Sequence, residues 1–241
     1  TSALDQARSE SEEARTALMR TLAGGLAHEI RNPLSTLSMN LQLLKEDWAH
    51  PVTEREQKSR KRIEVLLREV LRLEGVLNDF LRFAAGHELQ LTPVDMNDMA
   101  GELADLLAPQ AEQSRIRFSR HFSPALPRVM ADANLLRSAI LNLLVNAQQA
   151  MPRGGEIFLT TRMNGTGALL EIRDTGEGIA PENLDKIFNL YFSTKPGGTG
   201  LGLPMVKRIV DEHRGTLTVS STVGQGTTFT LKLPVDGGPN D

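Results

Sequence analysis

Two long stretches within the first 86 residues carry apolar side chains at alternating steps of three and four. The first stripe comprises Ile30, Leu34, Leu37, Leu41, Leu44 and Trp48, and the second comprises Ile63, Leu66, Val70, Leu73, Leu77, Phe80 and Ala84. This spacing places the side chains along one face of an α-helix, as in helices that pack on other helices. A single pair of such helices cannot cover both stripes. We therefore predict a long helical hairpin that forms a four-helix bundle with a second copy of the chain.

From about residue 95 the sequence changes to shorter helical and strand-like stretches. The pattern predicts helices over 96–114, 134–151 and 203–212, and strands over 116–122, 156–162, 168–173, 216–221 and 227–233. Because these do not alternate as in βαβ units, we predict an α+β layered sandwich. The predicted domains are the hairpin over 1–86 with a helical lead-in at 1–20, a linker over 87–94, the sandwich over 95–235 and a polar tail over 236–241.

The composition restricts the classes of function. The chain has 241 residues, a net charge of -3 and no cysteine. Without a basic excess we predict no nucleic-acid partner, and without cysteine there is no disulfide framework or thiolate metal site. No apolar run is long enough to span a bilayer. Because the chain starts at Thr1, we expect a cytoplasmic fragment of a longer protein, with any membrane anchor in a missing N-terminal part.

His28 is the candidate nucleophile of the first helix, and Glu29 lies beside it. At about 100° per residue, His28 lies about 200° around the helix from Leu26 and Ile30, so it points away from the packed stripe. An exposed histidine on a helix is usually only a solvated side chain. A zinc helix would carry a second histidine four residues later, where this chain has Asn32. Position alone therefore does not make His28 functional.

The second half of the chain contains features that suit a nucleotide site. Asn142 and Asn146 lie one helical turn apart, away from the apolar face of their helix. Asp174 ends an apolar strand and precedes Gly176 and Gly178. A carboxylate there accepts a hydrogen bond from an exocyclic amino group, while glycines let a flat ring approach the backbone. A pair of surface amides and an ordinary turn remain the alternatives for these features taken alone.

A glycine-rich loop over 197–203 precedes the last predicted helix. Glycines ahead of a helix N-terminus present backbone N–H groups to phosphate. The loop lacks the Gly-Lys-Ser/Thr ending of a P-loop, and Met205 breaks the dinucleotide-binding spacing. The glycine loop alone is therefore weak evidence. Residues 224–227 form a further tight turn between two strands.

Taken in order, these motifs resemble those of bacterial sensor histidine kinases. The similar segments are the H-box (28–34), the N-box (142–147), the first glycine box (174–178), the F-box (187–192) and the second and third glycine boxes (198–202 and 224–226). The resemblance covers about residues 15 to 233. The sequences of the H-box and of residues 193–198 are similar to those of the nitrogen-regulator-like subfamily.

The resemblance implies a dimeric helical hairpin joined to an ATP-binding sandwich of the gyrase, heat-shock-90 and histidine kinase type. In that family the H-box histidine attacks the γ-phosphate of Mg²⁺-bound ATP, and a receiver-domain aspartate of a response regulator then accepts the phosphoryl group. His28 is thereby the implied nucleophile, and Glu29 orients or deprotonates its ring. Asn32 would position water when the regulator is dephosphorylated.

The resemblance also implies roles in the nucleotide site. Asn146 would ligate Mg²⁺, Asn142 would support the metal and phosphates, and Asp174 would bind the adenine amino group. The other implied cofactor-binding residues are Gly176, Gly178, Lys195, Gly198, Thr199, Gly200, Leu201, Gly202 and Thr227. Many relatives carry a basic residue where this chain has Gln149, and Lys195, from a lid over about 180–200, is the expected replacement. The alternative function is an ATP-binding signalling scaffold that transfers nothing.

Overall fold

The computed structural model describes residues 30, 32–49, 53–84, 89–195 and 199–235. It divides into two compact units, Thr1–His87 and Glu88–Asp241. The predicted lead-in at 1–20 and the tail at 236–241 lie outside the described residues. His28, Glu29 and Gly198 lie outside them as well.

Two helices make up the described part of the first unit. Helix α1 covers residues 32–47 and helix α2 covers Glu54–Ala84. The Thr53 hydroxyl accepts a hydrogen bond from the Glu56 N–H, and the Glu56 carboxylate accepts one from the Thr53 N–H. This reciprocal capping box starts α2. Neither these helices nor any other described helix is long and apolar enough to cross a membrane.

Half of the stripe residues of α1 and α2 whose side chains the structure describes are exposed in the single chain, and the other half are half-buried. Leu37 of α1 is 52% exposed and Leu66 of α2 is 54% exposed. The large apolar side chains exposed on the described parts of the first unit are Ile30, Leu37, Met39, Leu43, Leu44, Val65, Leu66 and Leu73. Soluble monomers rarely expose so much contiguous apolar surface. The first unit therefore has an uncovered helical face.

The described residues of the second unit form seven strands and four helices. The strands are Leu91–Val94 (β1), Ile116–His121 (β2), Val129–Asp132 (β3), Gly155–Asn164 (β4), Gly167–Asp174 (β5), Thr216–Thr222 (β6) and Gly226–Pro234 (β7). The helices are Met96–Gln113 (α3), Ala133–Gln149 (α4), Pro181–Leu184 (α5) and Gly202–Glu212 (α6). The main sheet has the order β2-β4-β5-β7-β6, and β1 pairs with β3 in a separate antiparallel ribbon.

The predicted sandwich is confirmed, and the structure adds elements that the sequence did not predict. All five predicted strands and three predicted helices of this unit lie within two residues of the observed bounds. The additions are β1, β3 and α5, each of only four residues, which is too short to show a periodic pattern. Strand β1 lies inside the stretch 87–94 that was expected to be a linker. Strands β2 and β4 pair in parallel through a crossover that contains β3 and α4, an arrangement the sequence pattern had not indicated.

One face of the main sheet packs against the layer of helices. Side chains alternate along a strand, so burial alternates along β7 and through the middle of β4, whereas the central strand β5 is buried over Gly167–Leu170 as well. The fully buried side chains of this core include Ile157, Leu159, Leu170, Ile172 and Leu231 from the sheet, with Leu136, Ile140, Leu143 and Leu144 from α4 and Val206 and Ile209 from α6. This packing leaves Asn142 and Asn146 half-buried at the edge of the helical layer.

Candidate functional site

Asp174 ends β5 and is only 4% exposed. Its Oδ1 accepts hydrogen bonds from the N–H groups of Gly176 at 2.8 Å and of Thr227 at 3.2 Å. Burial raises the pKa of the Asp174 carboxyl, and the two N–H groups and the positive charge of Lys195 offset part of that rise. No described residue donates a hydrogen bond to Oδ2. The second carboxylate oxygen is therefore left as an acceptor for a bound molecule.

The glycines that follow Asp174 pass very close to other backbone segments. A Cβ on Gly176 would lie 2.5 Å from the carbonyl oxygen of Ala150, just after α4. Gly178 has a φ of +73°, and a Cβ there would lie 2.2 Å from the carbonyl oxygen of Thr222. Only glycine fits either contact. The protein's own backbone thus requires both glycines, in addition to any approach of a flat ring.

Ser221 of β6 joins this loop to β7, although the sequence does not predict its role. Its hydroxyl accepts a hydrogen bond from the Ile179 N–H at 2.8 Å and lies 3.0 Å from the Gly226 carbonyl oxygen. It also lies 2.9 Å from the Thr227 hydroxyl. Because the Thr227 N–H donates to Asp174, Ser221 holds two walls of the site together. Ile179 is distant in the chain, so no local pattern marks this contact.

Asn142 and Asn146 place two amides beside the start of α6. A Cβ on Gly202, the first residue of α6, would lie 3.5 Å from Asn142 Oδ1. No hydrogen bond joins either side-chain amide to another described residue, and Lys195 and the Ala150 N–H both bond to the backbone carbonyl of Asn146 instead. Mg²⁺ in phosphate sites needs only one or two protein oxygens besides water and phosphate. The free amides therefore fit a hydrated Mg²⁺ held together with a nucleotide.

A metal site made by the protein alone is not found in the described part of the chain. No group of three or more His, Cys, Asp or Glu side chains there could hold a metal ion. A cation at the Asn146 amide would thus depend on phosphate oxygens for most of its negative ligands.

Lys195 reaches the C-terminal end of α4. Its Nζ donates hydrogen bonds to Gln149 Oε1 and to the Asn146 carbonyl oxygen, both at 3.2 Å. Burial lowers the pKa of the Lys195 ammonium group, and the negative charge of Asp174 counteracts this effect. The Lys195 charge therefore lies beside Gln149, as expected of a replacement for a basic residue there.

The described end of the glycine loop has a conformation that only glycine permits. Gly200 has a φ of +66°, and a Cβ there would lie 2.4 Å from the backbone of Tyr191. Thr199 Oγ1 accepts a hydrogen bond from the Leu201 N–H at 3.3 Å. Leu201 is buried and its N–H is bonded to Thr199, so it shapes the start of α6 from within the core.

Of the predicted hairpin residues, Asn32 is described. It is exposed on α1, and its carbonyl oxygen accepts a hydrogen bond from the Thr36 hydroxyl at 3.0 Å. His28 and Glu29 lie outside the described residues, so their roles rest on the sequence. The second unit, in contrast, brings together the predicted residues from its N-box and its glycine boxes.

Two family models match the chain. Residues 18–88 match the His Kinase A (phospho-acceptor) domain, and residues 131–237 match the histidine kinase-, DNA gyrase B- and HSP90-like ATPase. This chain belongs to the two-component sensor histidine kinases. Members of this family are ATP-dependent protein-histidine kinases. The second unit carries the family's ATP-binding fold, as predicted.

Individual sensor histidine kinases resemble the chain along most of its length. Sensor histidine kinase ZraS of Escherichia coli (strain K12) is 37% identical over 220 residues, which are 89% of this chain and 45% of that protein. The crystal structure of full-length ShkA in complex with AMPPNP has a TM-score of 0.76 at 30% identity, covering 91% of this chain and 47% of that chain. The crystal structure of histidine kinase ThkA in complex with response regulator protein TrrA has a TM-score of 0.68 at 25% identity. The match covers 98% of this chain and 67% of that chain. The chain thus spans less than half the length of ZraS.

Proposed function

We propose that this chain is a histidine kinase core that phosphorylates its own His28 from Mg²⁺-ATP. The phosphoryl group then passes to a receiver-domain aspartate of a response regulator, and Asn32 positions water when the core dephosphorylates that regulator. The observation that carries the proposal is the buried Asp174, whose Oδ1 is held by two backbone N–H groups while Oδ2 accepts no hydrogen bond from any described residue. The complex of ThkA with TrrA supports a partner of the same class. Because ATP is the donor, we place this core in the cytoplasm.

The proposed reaction is an in-line phosphoryl transfer. A neutral ring nitrogen of His28 attacks the γ-phosphorus, the bond to the β–γ bridging oxygen breaks, and ADP leaves. Glu29 accepts a hydrogen bond from the other ring nitrogen and so keeps the lone pair on the attacking one. Mg²⁺ held by Asn146 Oδ1 would neutralise phosphate charge, and Asn142 would support it.

The binding groups divide between the two ends of the nucleotide. At the adenine end, Asp174 Oδ2 accepts from the exocyclic amino group, and Gly176, Gly178 and Thr227 hold the carboxylate and shape the pocket. At the phosphate end, the proposed binding loop comprises Gly198, Thr199, Gly200, Leu201 and Gly202. Its glycine and threonine N–H groups would face the phosphates, while the Leu201 N–H is bonded to Thr199 Oγ1. The 11-residue helix α6 begins at Gly202, and its positive N-terminal end favours an anion.

Incubation with γ-labelled ATP and Mg²⁺ tests the proposal. A phosphohistidine gives label that is lost in acid and retained in alkali. The alternative, an ATP-binding scaffold, predicts binding of the nucleotide with no label on the protein. Labelling that is stable in acid would instead contradict histidine as the acceptor.

We further propose that Lys195 supplies the phosphate contact that Gln149 cannot make. Its Nζ already lies 3.2 Å from Gln149 Oε1, so a small movement of the lid carries it to a phosphate beside Asn146. A charge-assisted hydrogen bond contributes about 1.5–3 kcal/mol. The amino-acid sequence of residues 193–198 also supports grouping the chain with the nitrogen-regulator-like kinases.

Lys195→Ala is accordingly expected to weaken ATP binding at least about tenfold, since one charged phosphate contact is lost. Adding Gln149→Arg to Lys195→Ala should restore most of the affinity, because the guanidinium then comes from α4. Lys186→Ala, which removes an exposed lysine of the same lid, is the matched control and should bind ATP normally. Titration with a fluorescent ATP analogue measures all four proteins. Normal affinity after Lys195→Ala, or no recovery in the double variant, would contradict this role.

The exposed stripes of α1 and α2 support a homodimer in which two hairpins form the four-helix bundle. Leu66→Glu is expected to convert the dimer to monomer, since it places a charge on the apolar seam. Val65→Glu is a stringent control, because both side chains are 54% exposed and only Leu66 belongs to the stripe. Light scattering coupled to gel filtration measures both masses. A dimer that persists in Leu66→Glu, or that dissociates equally in Val65→Glu, would argue against this seam.

A further inference from the structure

Asp132 makes more hydrogen bonds than a helix cap needs. Its Oδ1 accepts from the N–H groups of Asn134 and Leu135, both at 3.1 Å, and thereby caps α4. Its Oδ2 accepts from the Gln90 N–H at 3.2 Å. Its own N–H donates to His213 Nε2 at 2.9 Å. One residue thus binds three separate segments of the second unit.

These three segments have different roles in the proposed kinase. Gln90 lies immediately before β1, where the chain arrives from the hairpin. Helix α4 carries the two metal-site asparagines. His213 is the C-cap of α6, whose other end, Gly202, belongs to the phosphate loop. Asp132 therefore connects the incoming chain with both helices that border the proposed phosphate site.

The contact to His213 is specific for one form of its ring. His213 is 6% exposed, and its Nδ1 lies 2.7 Å from the Ile209 carbonyl oxygen. Because Nε2 accepts the Asp132 N–H, the proton must be on Nδ1, which donates to the carbonyl. Both ring nitrogens are then satisfied, so the ring is a fixed link between the end of α6 and the start of α4.

We propose that Asp132 is a positioning residue through which the chain arriving at Gln90 sets the placement of α4 relative to α6. Displacement of Gln90 acts on the carboxylate that starts α4 and, through the same residue, on the link to α6. Small misplacements of reacting groups reduce rate far more than they reduce binding. Asp132 therefore controls transfer of the γ-phosphate more than affinity for ATP. The effect on transfer rests on the proposed kinase function.

Asp132→Asn separates the bond to Gln90 from the cap. The amide keeps one oxygen for the N–H groups at the start of α4. Its nitrogen replaces the oxygen that accepts from Gln90, so a donor then faces a donor. Gln90→Pro is the second variant, because it removes the same N–H and leaves Asp132 unchanged.

Asp95→Asn is the matched control. Asp95 caps α3, and its Oδ1 accepts from the N–H groups of Asn97 at 2.9 Å and Asp98 at 3.1 Å. Among the described residues, no segment other than the start of α3 binds its carboxylate. The same substitution therefore perturbs a cap in the same unit without touching the incoming chain.

We expect Asp132→Asn and Gln90→Pro each to lower kcat for self-phosphorylation at least about tenfold while the Kd for ATP changes less than about twofold. Asp95→Asn should leave both values near wild type, although its melting temperature falls as much as that of Asp132→Asn. Unchanged kcat in both Asp132→Asn and Gln90→Pro, or parallel losses in Asp95→Asn, would leave Asp132 only a cap.

Hydrogen exchange provides a readout that does not require kinase activity. Binding of Mg²⁺-AMPPNP should slow exchange of the Gln90 amide in the wild-type chain and should not do so in Asp132→Asn. If the wild-type chain fails to label itself, the proposed function is wrong, and the exchange of Gln90 still decides whether the nucleotide site and the incoming chain are coupled. If the hydrogen-exchange rate of the Gln90 amide is the same with and without the nucleotide, the proposed coupling is wrong.

Discussion

His28→Gln is expected to abolish transfer of label from γ-labelled ATP while the Kd for ATP stays within about twofold of wild type. Glutamine has no ring nitrogen to attack phosphorus. The phosphoacceptor match covers residues 18–88, whereas the ATPase match covers residues 131–237, so nucleotide binding does not depend on this side chain. Acid-labile label on the protein and titration with a fluorescent ATP analogue measure the two quantities separately.

His50→Gln is the matched control, since it removes a second histidine from the same unit. It should label as the wild-type chain does. Label retained after His28→Gln would exclude His28 as the nucleophile. Loss of ATP binding in the His28→Gln variant would show that this substitution also perturbs the ATP-binding unit.

Asp174→Asn is expected to weaken ATP binding by about 30- to 100-fold, equivalent to about 2–3 kcal/mol. The substitution is nearly isosteric, and the amide oxygen still accepts from the N–H groups of Gly176 and Thr227. The amide nitrogen, however, replaces Oδ2, so a donor faces the adenine amino group. The fluorescent-analogue titration measures the loss, and competition with GTP should show that the preference for ATP has fallen as well.

Thermal stability separates this effect from misfolding. Because the folded-state pKa of Asp174 is raised, its ionised form destabilises the fold at pH values above that pKa. A neutral amide removes this cost, so the melting temperature of Asp174→Asn should equal or exceed that of wild type near pH 7. Asp185→Asn, at an exposed carboxylate, is the control for charge alone. Unchanged ATP affinity in Asp174→Asn would remove Asp174 from the adenine site.

Most of the fold of this chain could be predicted because it depends on local patterns. The apolar steps of three and four predict α1 and α2, an alternating pattern predicts β2, and strand-like runs predict β4, β5, β6 and β7. The order of the motifs was sufficient to identify the histidine kinase family. Strands β1 and β3 escaped prediction because neither is stable alone, and each exists only through pairing with the other.

The contacts that shape the site were decided by tertiary structure. Asp174 and Asn146 were recognised from sequence as candidate residues, yet the Thr227 N–H that orients Asp174 comes from a distant strand. The approach of Lys195 to Gln149 likewise joins residues 46 positions apart in the chain. Asp132 follows an ordinary capping pattern in sequence, and nothing local distinguishes its bonds to Gln90 and His213. Local periodicity determined the helices and strands of this protein, whereas the hydrogen-bond partners of its polar side chains were set by segments that meet only after the sandwich has packed.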